Sequence, residues 1–209
     1  MPSKNSLPLD TLASIIRSRR TSKPALFEGG PSPTFVRNLI DIARHAPNHH
    51  RTEPARFYLL DSQRIHLVGR LFAEIVRGDG SDPSLLKKAD RKAQEWGKAP
   101  GLLIVTCHSD KSSVLAQKNP LVTQEDYATV SCICQNLLLL MQNEGISTKW
   151  STGQVWKHPD FAKAINMGSP TLEKVVALIF YGYSKEHIDA RTLAPLDDHL
   201  VNFHAKVED

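Results

Sequence analysis

Gln124 to Gly153, QEDYATVSCICQNLLLLMQNEGISTKWSTG, is the stretch from which the fold can be read. From Glu125 onward Val130, Ile133, Leu137, Leu140 and Met141 recur at the three- and four-residue spacing of a helical face, and Leu138 and Leu139 carry the apolar surface further round. Burying a leucine side chain is worth about 1.5–3 kcal/mol. The consecutive large residues Leu137 to Met141 therefore predict a helix covered on at least two sides. Gly145 can adopt the left-handed conformation that ends such a helix. The residues after it, Ile146 to Gly153, mix β formers with hydroxyl-bearing and small residues, as the end of a strand beside a ligand would. A central core helix thus delivers the chain to a binding strand.

The whole chain has 209 residues, a formal charge of +4 and nine histidines. That length can bury one sizeable core, so a single domain over 1–209 is expected, with residues 1–8 as a flexible N-terminal tail. The basic residues are scattered rather than gathered into an arm or stripe, which disfavours nucleic acid or an acidic membrane surface as partner. Smaller anions such as phosphate groups fit better. The longest apolar run, Leu137 to Met141, falls far short of the roughly 20 residues a membrane span requires. The N-terminus lacks a hydrophobic signal region, so a cytoplasmic location is expected. Cys107, Cys132 and Cys134 offer no disulfide framework and read as small buried hydrophobes.

In chain order, Leu9 to Arg20 reads as a helix with Asp10 as N-cap and Leu12, Ile15 and Ile16 on its inner face. Its basic end, Arg17, Arg19 and Arg20, runs into Thr21, Ser22 and Lys23 before Pro24 stops it. Cations at a helix C-terminus are favourable in their own right. The same forked donors and hydroxyl also make a phosphate grip, with Lys23 placed to reach along an attached ring system. A second helix is expected from Phe35 to near His45, then a polar turn, 46–54, and a buried strand, Phe57 to Leu60. Helices follow over Ile65 to Val76 and Leu85 to Trp96, then a strand, Gly101 to Cys107, apolar on both faces. His108 to Thr123 reads as a polar link. Beyond Gly153 come a short helix, Phe161 to Ile165, and the strongest strand, Val175 to Gly182, with an irregular tail from Arg191.

His45, His49 and His50 tempt a metal reading, but their spacing matches no zinc arrangement and no Cys or His elsewhere completes one. A hydrogen-bonding or stacking role for His49, or a plain solvated loop, remains. No Gly-x-Gly-x-x-Gly follows a strand, and neither a Gly-x-Ser-x-Gly elbow nor a phosphate loop occurs. Rossmann, hydrolase and nucleotide-triphosphatase readings lose their usual support.

Taken together, Arg17-Ser18-Arg19-Arg20-Thr21-Ser22-Lys23, Ala46-Pro47-Asn48-His49, Lys149-Trp150-Ser151-Thr152-Gly153 and Ala177 to Gly182 resemble, in order and spacing, the nitroreductase family of FMN-dependent NAD(P)H oxidoreductases. The likeness is greatest to its small single-domain branch. It implies an α+β fold, a mixed and mainly antiparallel sheet flanked by helices, working as a homodimer with FMN near the subunit interface and the core helix in that interface. By the same resemblance Arg19, Arg20 and Thr21 bind the FMN phosphate and ribityl end, and Lys23 lies near the pyrimidine edge. His45 and His49 match ring- and ribityl-contacting positions, and Trp150, Ser151 and Thr152 match the turn beside the isoalloxazine. Lys185 or Arg191 would complete the phosphate site. Two departures stand out: Arg51-Thr52-Glu53-Pro54-Ala55 replaces the family's Asn-x-Gln-Pro-Trp, and Ser151 stands where close relatives have Arg.

The implied chemistry is a ping-pong cycle in which NAD(P)H gives hydride to flavin N5 and a nitroaromatic, quinone or enone-like acceptor takes it up. The cofactor carries the redox step, so no catalytic side chain is nominated. The alternative from another class is a protein that stores or senses FMN without turnover, the altered 51–55 segment blocking the nicotinamide face.

Overall fold

The computed structural model describes residues 9–151, 153–186, 188–189 and 191–200. Helices α1 (Leu9–Ser18), α2 (Pro33–Ala43), α3 (Ser62–Arg77), α4 (Pro83–Gly97), α5 (Val114–Lys118), α6 (Val122–Asn143) and α7 (Phe161–Ala164) surround strands β1 (Ala55–Leu59), β2 (Gly101–His108), β3 (Ser147–Ser151) and β4 (Glu173–Gly182). The strands form one sheet in the order β1-β2-β4-β3, and every neighbouring pair is antiparallel. The parallel element is a single bridge between Thr21 and Thr148, outside the named strands. Among the described residues no helix is long and apolar enough to cross a membrane.

The two central strands explain the layering. Alternate side chains of a strand point to opposite faces, and β2 and β4 are apolar at nearly every position, so both faces must be covered. Leu103 and Val105 of β2 and Ala177 and Ile179 of β4 meet Val36 and Leu39 of α2 and Val130, Ile133, Leu137 and Met141 of α6. Leu102, Ile104, Leu178 and Phe180 point the other way, against Ile65 and Val68 of α3, Trp96 of α4 and Phe161 of α7. Leu137, Leu138 and Met141 are all buried, as the run from Leu137 to Met141 requires. Gly145 has φ of +69°, and the amide of Ile146 donates to the carbonyl of Met141 at 2.8 Å, closing the helix and starting β3.

Several expectations need correction. Asp10 lies inside the first turn of α1 rather than capping it. Leu12 and Ile16 are 49% and 51% exposed, because among the described residues nothing packs over that side of α1. Cys132 is exposed while Cys107 and Cys134 are buried. At two residues' separation on a helix the side chains point about 200° apart, so Cys134 faces the sheet and Cys132 faces away. β1 is only partly buried, as an edge strand, and the 108–123 link contains the five-residue α5.

Burial pushes the Cys134 thiol up to about 12 and, with Asp126 adding to it, the Cys107 thiol up to about 11. The thiolate is the reactive form. Native protein at pH 8 is therefore expected to release at most one equivalent of thionitrobenzoate from Ellman's reagent, from Cys132, and three after unfolding in guanidinium. Leu137→Ala removes a fully buried side chain between α6 and the sheet. It should lower unfolding free energy by about 2–5 kcal/mol in urea titrations, whereas Val114→Ala, at a residue 68% exposed, should stay within about 0.5 kcal/mol.

Candidate functional site

After α1 the chain runs extended along the free edge of β3. Thr21 bridges Thr148, and the Ser22 amide donates to the Thr148 carbonyl at 3.0 Å. Extended backbone sends successive side chains to opposite sides. Arg20 and Ser22 accordingly line one cleft of about 670 Å³, with Arg17 and Ser18. Lys23 lines a second, also about 670 Å³, with Arg91, Lys92, Glu95, Lys98 and Lys149. The Arg20 guanidinium is oriented by donating to the Asp189 carbonyl at 2.9 Å and to the Arg19 carbonyl at 2.8 Å. Arg19 is half-buried, and burial together with the positive charge of Arg20 lowers its pKa. Among the described residues its guanidinium has no hydrogen-bond acceptor and no acidic partner. A cation held under strain beside another cation is what an anionic ligand relieves.

The first cleft is balanced, with Arg17 and Arg20 against Asp10 and Glu186; the second is not. Its five cations face a single carboxylate, Glu95. Lys92 Nζ lies 2.6 Å from Glu95 Oε2 and Lys149 Nζ 3.6 Å from Oε1. Burial raises the Glu95 pKa, but the two lysines outweigh it and hold the carboxyl below the usual range. Lys23, Arg91 and Lys98 make no ion pair among the described residues. Behind this wall Trp96 stacks on Phe72, with ring centroids 3.8 Å apart. Gly153 lies against both rings: a Cβ there would be 2.7 Å from Trp96 and 3.0 Å from Phe72.

The β3 motif is divided by the strand's own periodicity. Trp150 packs against the core on the α6 side, and Ser151 is buried with its Oγ accepting from the Gly153 amide at 3.3 Å. Lys149, between Thr148 and Trp150, is the residue that enters the Lys23 cleft. Thr152 lies outside the described residues. Lys185 is exposed and paired with Glu28 at 3.1 Å, and Arg191 is exposed.

His45 and His49 belong to a different part of the molecule. His45 is exposed in the turn after α2. His49 Nδ1 donates to Glu125 Oε2 at 3.0 Å, near the start of α6, and its ring stacks on His50 at 3.9 Å. The stacking follows from left-handed backbone at His50 and Arg51, with φ of 61° and 52°. His50 also accepts from the Asn119 amide at 3.4 Å. Ligand-capable atoms of His49, His50 and Glu125 all lie within 4.8 Å of one another; the carboxylate was not anticipated from sequence, where only histidines were considered. At the other end of α6, Gln142 Nε2 donates to Ser18 Oγ at 3.4 Å, beside the arginine segment. From Glu125 to Gln142 the helix advances roughly 25 Å at about 1.5 Å per residue. One chain therefore holds the arginine and histidine groups at opposite ends of one rod.

A sequence model described as "Nitroreductase family" matches residues 16–183. The chain is 30% identical over 189 residues, 90% of its own length and 91% of the relative's, to the Bacillus subtilis protein named "Putative NAD(P)H nitroreductase YfhC". Among solved structures it resembles a nitroreductase-like family protein from Bacillus cereus, with a TM-score of 0.74 at 19% identity over 96% of this chain and 100% of that one. A nitroreductase with bound FMN from Bacteroides fragilis gives 0.69 at 16% identity, covering 91% and 98%.

Gly153→Ala should force the Trp96–Phe72 stack apart. The expected outcome is a loss of about 1–3 kcal/mol of stability, read by urea denaturation, with a changed tryptophan emission spectrum in the native state.

Proposed function

We propose that this chain, which belongs to the nitroreductase family, binds FMN and passes reducing equivalents from NAD(P)H to a nitroaromatic, quinone or enone-like acceptor. The observation that carries the reading is the half-buried Arg19 guanidinium, left next to Arg20 without an acceptor among the described residues, together with the Lys23 cleft, whose five cations face one carboxylate. Arg19, Arg20 and Thr21 fit the phosphate and ribityl end of FMN: forked donors and a hydroxyl are the groups a phosphate monoester requires. Lys23 and Lys149 fit the ring end, where fixed positive charge favours the electron-rich form of a ring system. When bound, FMN would supply the hydride chemistry; the protein binds, orients and charges its surroundings. The curated relative named for NAD(P)H supports the donor.

The separation along α6 supports a homodimer as the working unit. The two nominated groups cannot meet around one FMN within a chain, but a second copy related by a two-fold axis would bring the His49 end of one α6 to the Arg19 end of the other. The exposed apolar residues Leu12, Ile16 and Ile42 provide surface for such a contact.

Purified protein is expected to be yellow, to oxidise NADPH or NADH with a quinone as acceptor, and to sediment at twice the mass of one chain. Arg19→Ala and Arg20→Ala should each weaken FMN binding by about 1.5–3 kcal/mol, the size of a lost charge-assisted bond, measured by flavin fluorescence titration of the apoprotein. Undiminished FMN content in the double variant would remove the phosphate assignment, and a colourless wild-type protein would remove the function.

A further inference from the structure

The side chains of Lys92, Glu95 and Lys149 form an array with a consistent order of hydrogen-bonding character. Lys92 and Glu95 are one turn apart on one face of α4, and Lys149 reaches them from β3, so the three meet where two elements wall the cleft that Lys23 enters. The side chain of Glu95 is 11% exposed, and those of Lys92 and Lys149 are 22% and 23% exposed. Lys92 spends one of its three donors on Glu95 Oε2, Lys149 stands 3.6 Å from Oε1 as an ion pair, and the carboxylate keeps lone pairs beyond the one that accepts from Lys92. The cleft wall therefore offers donor, acceptor, donor in sequence, with a net charge of one positive unit.

An imide edge, carbonyl–NH–carbonyl, is the complementary pattern. Resting on the FMN reading above, we infer that Lys92, Glu95 and Lys149 recognise the imide edge of the flavin's pyrimidine ring, Glu95 accepting from N3–H while the two lysines donate to the flanking carbonyl oxygens. Lys23 alone gives a cation without direction. The triad adds an acceptor, and a carboxylate between two ammoniums discriminates: a ring whose N3 carries no hydrogen would leave Glu95 facing an alkyl group with its acceptor unsatisfied. A site built to hydrogen-bond an N–H rejects the analogue lacking it far more strongly than a merely apolar pocket rejects a change of shape. Glu95 also has a structural role in keeping the two lysines from repelling each other, so loss of binding in a variant is insufficient evidence. The test must change the ligand as well as the protein.

Apoprotein is titrated with FMN and with N3-methyl FMN, following flavin fluorescence. The wild-type chain is expected to bind the methylated analogue at least about tenfold more weakly, as loss of a hydrogen bond to a charged group predicts. In Glu95→Ala the two ligands should bind within about twofold of each other, whatever the absolute affinity, because the group that senses N3–H is gone. Equal affinity of the wild-type chain for both ligands would overturn the imide assignment and leave the FMN reading intact. Failure of the wild-type chain to bind either would overturn both. The wild-type comparison needs no variant, so it decides the matter even if Glu95→Ala does not fold.

Discussion

The length and burial of α6 constrain everything else in the molecule. Its apolar residues are pressed against β2 and β4 on one side and against α2 on another, so it can neither bend out of the way nor slide. A rod fixed in that manner holds whatever its ends touch at a constant separation. One end carries Glu125 with His49, the other Gln142 with Ser18 and the arginine segment beyond it. The distance between the arginine and histidine groups follows from this spacing rather than from any local motif.

The sheet supplies the other half of the logic. β3 alternates between a core-facing Trp150 and a cleft-facing Lys149, and the extended Thr21–Lys23 segment, bridged to it at Thr148, alternates between two clefts. Two short pieces of extended backbone lying side by side thus sort cations into separate depressions, without any long-range device. α4 then closes the second depression with Lys92 and Glu95, at a spacing that puts both on one face of the helix.

Features governed by short-range periodicity were legible in the sequence. The runs Gly101 to Cys107 and Val175 to Gly182 mark the central strands, and the spacing from Val130 to Met141 marks α6, because burial on defined faces is written into residue order. What the sequence hid was mostly non-local. Leu12 and Ile16 have the pattern of a core-facing helix, yet they are exposed in one chain; periodicity reports that a face is apolar without saying which molecule covers it. Glu125 joins His49 across 76 positions and Glu95 joins Lys149 across 54, separations at which spacing carries no signal. Lys23 was nominated from sequence for the second cleft, whereas the pair Lys92 and Glu95, three apart in α4, carried a local signal that went unread. Cys132 looked buried because its neighbours are, and α5 is too short to show a period.

The bridge between Thr21 and Thr148 also bears on how the chain behaves among its own kind. An uncovered sheet edge offers unpaired amides and carbonyls to any neighbouring strand, and β3 would be such an edge if the arginine-bearing segment were not lying along it. The segment from Arg19 to Lys23 serves as its guard rail. Peeling it back would bare a template for aggregation, so any substitution that loosens the Thr21–Thr148 contact acts on solubility as well as on the local backbone.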